Sequence, residues 1–156
     1  MGLLGGCVTT PTIVGYTPTH PMTAAKVNGE QIKEGARWRN AAIMMIDGKE
    51  SLRSRSKPES SLVNLVDGGV HQFEIKTESN EPMTKTDVAQ LLVLGTRDFY
   101  HTDAILTATL LEGHTYQVKT TINAQSETVQ IEDTASHEIV SDTVTKLLRP
   151  GGFLGY

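Results

Sequence analysis

The stretch His71-Gln72-Phe73-Glu74-Ile75-Lys76-Thr77 is echoed by His114-Thr115-Tyr116-Gln117-Val118-Lys119-Thr120. Each copy follows a glycine turn signal, Gly68-Gly69 in the first case and Gly113 in the second. The shared pattern is His, polar, aromatic, Glu or Gln, β-branched aliphatic, Lys, Thr. Side chains of a strand alternate between its two faces. Alternation sets His, aromatic, aliphatic and Thr on one face, and the polar residue, Glu or Gln and Lys on the other. The echo therefore predicts two amphipathic strands, with Phe73 and Tyr116 in the core and each histidine beside a turn.

Similar text extends on both sides. Toward the C-terminus, residues 104–111 and 115–122 alternate around the turn Glu112-Gly113. Residues 128–132 follow with Val129 and Ile131 inward, 133–136 turn, and 137–140 close the meander. Toward the N-terminus, 62–66 forms a short strand ended by Asp67-Gly68-Gly69. Residues 38–47 form another, with Trp38, Ala42, Met44 and Ile46 on one parity. Arg37, Arg39, Ala41, Ile43 and Met45 occupy the other parity. The later half of this strand is apolar on both faces, so it becomes central. Asn28-Gly29 is a strong hairpin signal. Short strands at about 8–12-residue spacing predict a mainly β chain: an antiparallel β-sandwich of about 7–8 short strands. Two short helices are expected beside it. Over about 87–94, Asp87 caps with Gln90 at N3, and Val88, Leu91 and Leu92 share a face. A buried strand over 91–94 fits nearly as well. Over 141–148, Val144, Leu147 and Leu148 line up before Pro150 stops the chain.

Composition limits the function classes. The chain has 156 residues, 38% hydrophobic and 5% aromatic, with a formal charge of −4. The length suits one domain with its own core. The negative balance argues against nucleic acid as a partner. No apolar run approaches the ~18 residues of a membrane helix. Thr is roughly one residue in eight, which favours strands over helix interiors. The single cysteine, Cys7, excludes an internal disulfide framework and a cysteine-only zinc site.

Leu4-Gly5-Gly6-Cys7 resembles the lipobox of bacterial lipoproteins. The resemblance implies a signal remnant over 1–7, cleavage before Cys7 and acylation of its sulfur and new amino terminus. Residues 8–23 are rich in Thr and Pro and are expected to form a tether. Residues 24–148 then carry the β-sandwich, and 149–156 are a Gly/aromatic tail. Val8 is not the Asp that favours inner-membrane retention in enterobacterial members. The resemblance thus implies a lipid-anchored protein of the outer membrane, facing the periplasm or the surface. A second, looser resemblance runs through Ile46-Asp47-Gly48-Lys49, Pro58 and Leu65-Val66-Asp67-Gly68-Gly69-Val70-His71-Gln72-Phe73-Glu74-Ile75. These residues resemble PEGA-type domains, small β-sandwich modules of bacterial surface and envelope proteins with no catalytic residues to carry over.

Chemistry-bearing patterns are sparse. His20, His71, His101, His114 and His137 show no metal-ligand spacing, so neither a metal nor a cofactor is expected. His71 and His114 are read as strand-start histidines bonding to turn backbone. They would meet only if their strands were neighbours. Asp98, Tyr100, His101 and Asp103 are read as a solvated turn. Glu132 and Asp133 are adjacent and point to opposite faces, which makes them poor acid–base partners. No nucleophile elbow or phosphate loop stands out, so no enzyme is expected. Arg53, Arg55 and Lys57 form a candidate binding loop, and Phe153 and Tyr156 a candidate docking tail. The expected role is structural or binding, in an envelope assembly with other envelope proteins or with itself. The alternative is an unanchored β-module of a secreted or virion assembly, docking through its terminal arms.

Overall fold

Where the alternation is regular, the chain pairs into ladders. A computed structural model describes residues 15–35, 37–51, 63–80, 99–123 and 126–151. Among the described residues there are eleven strands and no helix. They are β1 (Ala25–Asn28), β2 (Glu30–Glu34), β3 (Arg37–Ile46), β4 (Lys49–Glu50), β5 (Val63–Val66), β6 (Gly69–Ser79), β7 (Phe99–Leu110), β8 (Thr115–Asn123), β9 (Ser126–Asp133), β10 (Val144–Leu147) and β11 (Arg149–Gly151). One sheet runs β10-β9-β8-β1-β5, and the other runs β11-β7-β6-β3-β2 with β4 also paired to β3. All pairings between strands are antiparallel except β1 with β8.

Both sheets turn one face to a common core. Ala25, Val27, Val66, Tyr116, Val118, Val129 and Ile131 come from the first sheet. Ala41, Ile43, Ile46, Phe73, Ile75, Ala104, Leu106, Ala108 and Leu110 come from the second. Phe73 and Tyr116, the two aromatics of the echo, are among the largest fully buried side chains, as the alternation predicts. The echoed strands β6 and β8 lie in opposite sheets.

Four sequence readings are corrected. Residues 141–148 are not helical: 144–147 form β10 against the outer edge of β9. Thr143, Val144 and Thr145 are β-branched and poor helix formers. The backbone groups along that side of β9 need partners, and the Thr128 and Thr145 hydroxyls bond across the pair at 2.9 Å. Asn28-Gly29 makes no hairpin, because β1 and β2 belong to different sheets. Gly29 is the crossing point, and a Cβ there would run into the Ala41 carbonyl oxygen. Glycine serves close approach here rather than a turn. In β3 the register shifts between Ile43 and Met45. The core set is therefore Ala41, Ile43 and then Ile46, and neither parity holds throughout. The carbonyls of Ile43 and Met44 at this bulge accept the Ser51 hydroxyl (2.6 Å) and amide (2.9 Å). Over 137–140, Ile139 makes only an isolated bridge to Glu132. The strand count rises from 7–8 to eleven because the short pieces β4, β10 and β11 pair and the β1–β2 run is split. The expected helix at 87–94 lies outside the described residues.

Candidate functional site

At one end of the sheets, the turns β3–β4, β5–β6 and β7–β8 gather around the incoming chain. Gly15 bridges Glu50 in parallel, and the Tyr16 amide donates to the Glu50 carbonyl at 2.8 Å. The Thr19 amide donates to both carboxylate oxygens of Asp67 (2.9 and 2.8 Å), and the His20 amide donates to one of them (3.1 Å). The Asp67 amide donates in turn to the Tyr16 hydroxyl at 3.2 Å. These backbone donors hold the Asp67 carboxyl below its ordinary pKa. Tyr16 packs on the core and meets the His71 ring edge-on at 6.2 Å. Burial pushes its phenol above the ordinary value. The segment expected to be a tether over 8–23 is thus docked from residue 15 onward. Unpaired amides over 15–20 find a carboxylate at the β5–β6 turn.

The echoed histidines sit at this same end, each on a carboxylate rather than on turn backbone. His71 Nδ1 lies 2.7 Å from Asp47 Oδ2, and His114 Nδ1 lies 2.6 Å from Asp133 Oδ2. Asp47 has φ +51° in the Asp-Gly turn, and its other oxygen accepts the Gln72 amide at 2.9 Å. The pair with His114 is the main cause holding Asp133 low, followed by the amides of Ala135 and Ser136. Each imidazole lies near the aromatic two residues on: His71 with Phe73 at 6.5 Å, His114 with Tyr116 at 6.1 Å. His71 is on β6 and His114 immediately precedes β8 of the other sheet, so their strands are not neighbours. Glu132 and Asp133 do take opposite faces. Asp133 bonds His114, while Glu132 lies 2.8 Å from His137.

Six residues along each echoed strand, roughly 20 Å away, the two threonines do something parallel. The Thr77 hydroxyl donates to Glu127 of β9, in the facing sheet. The Thr120 hydroxyl donates to Glu30 of β2, also in the facing sheet. The Thr120 amide adds a bond of 2.8 Å to the same Glu30 oxygen, and Arg39 Nε lies 3.8 Å from it. Glu30 is 4% exposed and Glu127 1%. Burial raises the Glu127 carboxyl above its ordinary pKa. The Thr77 bond and the Arg39 charge pull it back, and the charge of Glu30 pushes it further up. Two carboxyl groups thus bridge the sheets through reciprocal bonds at the end away from the N-terminal segment.

The sequence reading missed both glutamates. The signal was the echo itself: Thr77 and Thr120 stand on the apolar parity, where a polar group requires a partner. Glu127 also shares the inward parity of Val129 and Ile131. Of the residues singled out, Cys7, Arg53, Arg55, Lys57, Phe153 and Tyr156 lie outside the described residues, as does Asp98. His101 and Asp103 are described and share the outward parity of β7, so this part of the expected turn is strand instead. Among the described residues no three His, Cys, Asp or Glu side chains converge as a metal site would require. No protein family, curated protein or solved structure matches this chain.

Proposed function

We propose that the chain is a lipid-anchored bacterial envelope protein, acylated at Cys7, whose β-sandwich has a structural or binding role in an envelope assembly. The sandwich reading, loosely PEGA-like, rests on two sheets that share one core. The supporting observation for the anchor is the way the N-terminal segment meets the domain. Residues 15–20 are bonded to Glu50 and Asp67. Residues 8–14 separate Cys7 from Gly15, the first described residue, and a stretch of that length spans at most about 25 Å. An acylated Cys7 holds the turn end toward a bilayer and leaves the far end and the sheet edges for partners. Those partners are other envelope proteins or a second copy of the chain. The location is the outer membrane, facing the periplasm or the surface. Neither catalysis, a cofactor nor nucleic acid enters this reading.

The test is expression from the native locus in the native host. The expected product begins at Cys7, carries the mass of its acyl groups and enters the detergent phase. Cys7→Ala is expected to leave the chain unprocessed and to abolish that partitioning. A water-partitioning wild-type product that keeps residues 1–6 overturns the anchor. That outcome favours the second reading, an unanchored module of a secreted or virion assembly. One observation supports this alternative: among the described residues β11 pairs with β7 alone and ends at Gly151 at the rim of its sheet, just before the segment bearing Phe153 and Tyr156. Deleting 152–156 is then expected to weaken partner recovery while leaving the melting temperature nearly unchanged.

A further inference from the structure

The glutamates bridging the sheets have unequal surroundings. Glu30 Oε2 receives the Thr120 amide and hydroxyl and faces Arg39. Glu127 receives one hydroxyl, from Thr77, and its Oε1 is buried with no hydrogen-bond partner among the described residues. Among the described residues the polar groups that bear on Glu127 are Thr77 on β6, the Thr102 carbonyl of β7 beyond it, Glu30 on β2 and Arg39 on β3. Of these only Arg39 and Glu30 carry charge, and Arg39 is engaged by Glu30. An anionic carboxylate with one free buried oxygen is far costlier than a neutral carboxyl in the same place. A neighbouring carboxylate raises that cost, because two close carboxyl groups do not both ionise readily.

We propose that Glu30 and Glu127 form a proton-dependent clasp between the two sheets. In the folded chain the buried, half-partnered Glu127 carboxyl favours its neutral form, while Glu30 lies against Arg39 and the Thr120 amide. Loss of the Glu127 proton places a buried negative charge beside Glu30, with Arg39 the cation that faces both among the described residues. The sheets then loosen at this end, where β6 and β8 present Thr77 and Thr120. The turn end, with its histidine–aspartate pairs, is not part of the device. The proton goes to solvent and no other group changes state. For a group with a raised folded-state pKa, the stability gain is complete below its unfolded pKa. It is lost as pH rises through the folded value.

The experiment uses the intact chain without its lipid. Side-chain carboxyl carbons of ¹³C-labelled glutamate are followed by NMR from acid to alkaline pH, with Glu127 assigned from Glu127→Gln. Glu127 is expected to titrate above the ordinary glutamate range. In parallel, denaturant unfolding is measured across the same range. The wild-type unfolding constant is expected to rise by up to tenfold per pH unit between the unfolded and folded pKa values, the limit for one proton. Glu127→Gln, which mimics the protonated carboxyl, is expected to remove that component and to be the more stable protein at alkaline pH. Titration of Glu127 within the ordinary glutamate range overturns the proposal, and that result needs no variant to be stable. A Glu127→Gln curve parallel to the wild type overturns it equally.

Discussion

Phe73→Ala probes the core reading most directly. Phe73 is fully buried, on the inward parity of β6, and belongs to the cluster that both sheets share. Truncation to Ala removes the ring's transfer energy and leaves a cavity that flanking strands fill only partly. Paired β6 has β3 on one side and β7 on the other, so its backbone cannot collapse inward without breaking ladder bonds. The expected cost is about 3–5 kcal/mol, in the upper part of the range for buried side chains. Against a total stability of about 5–15 kcal/mol this is a large fraction. It lowers the melting temperature by roughly 6–20 °C for a chain of this size. Phe73→Leu, which keeps much of the volume, is expected to cost clearly less. Urea unfolding followed by the fluorescence of Trp38 gives both values, provided the slope against denaturant is unchanged. A loss below about 1 kcal/mol for Phe73→Ala would mean that β6 presents its other face to the core.

Gly29→Ala should destabilise by about 1–3 kcal/mol, because its Cβ meets backbone at the crossing between sheets, and overpacking against backbone has no easy relief; an unchanged urea midpoint would refute this. Asp67→Asn should free residues 15–20, so that chymotrypsin cuts after Tyr16 faster than in the wild type; equal cleavage rates would show that the carboxylate does not hold the segment. Asp67 and Asp133 have depressed folded-state pKa values, so the stability each contributes is present above its unfolded pKa and lost as pH falls through the folded one. The wild type should therefore lose stability on acidification, and Asp67→Asn and Asp133→Asn should each flatten that acid limb in equilibrium unfolding.

The regular strands were legible because their information is local. β6, β8 and β9 alternate without interruption, and their faces follow from period two. What alternation does not carry is which sheet a strand joins. Asn28-Gly29 has the chemistry of a hairpin turn, yet the contact that decides its role is with Ala41, a dozen residues on. Residues 144–147 have a helical spacing of Val144 and Leu147, but the unsatisfied edge of β9 outweighs it. The bulge in β3 depends on Ser51 bonding back to two carbonyls, and no pattern within β3 announces it. The clasp is intermediate. Thr77 and Thr120 are marked by the echo, but their partners Glu127 and Glu30 lie 50 and 90 residues away.

Among the described residues the chain passes between the sheets at four places, and the two single-residue crossings are the tightest. Gly29 joins β1 to β2, and Leu148 joins β10 to β11, each carrying the backbone from one sheet to the other within a single residue. They stand on opposite flanks, since β10 and β11 lie at one rim of their sheets and β2 at the other. Neither sheet can peel away as a unit while both seams hold. Heat or denaturant should therefore dissolve both layers in one cooperative step, and cutting the chain between the layers should yield no fragment that folds alone.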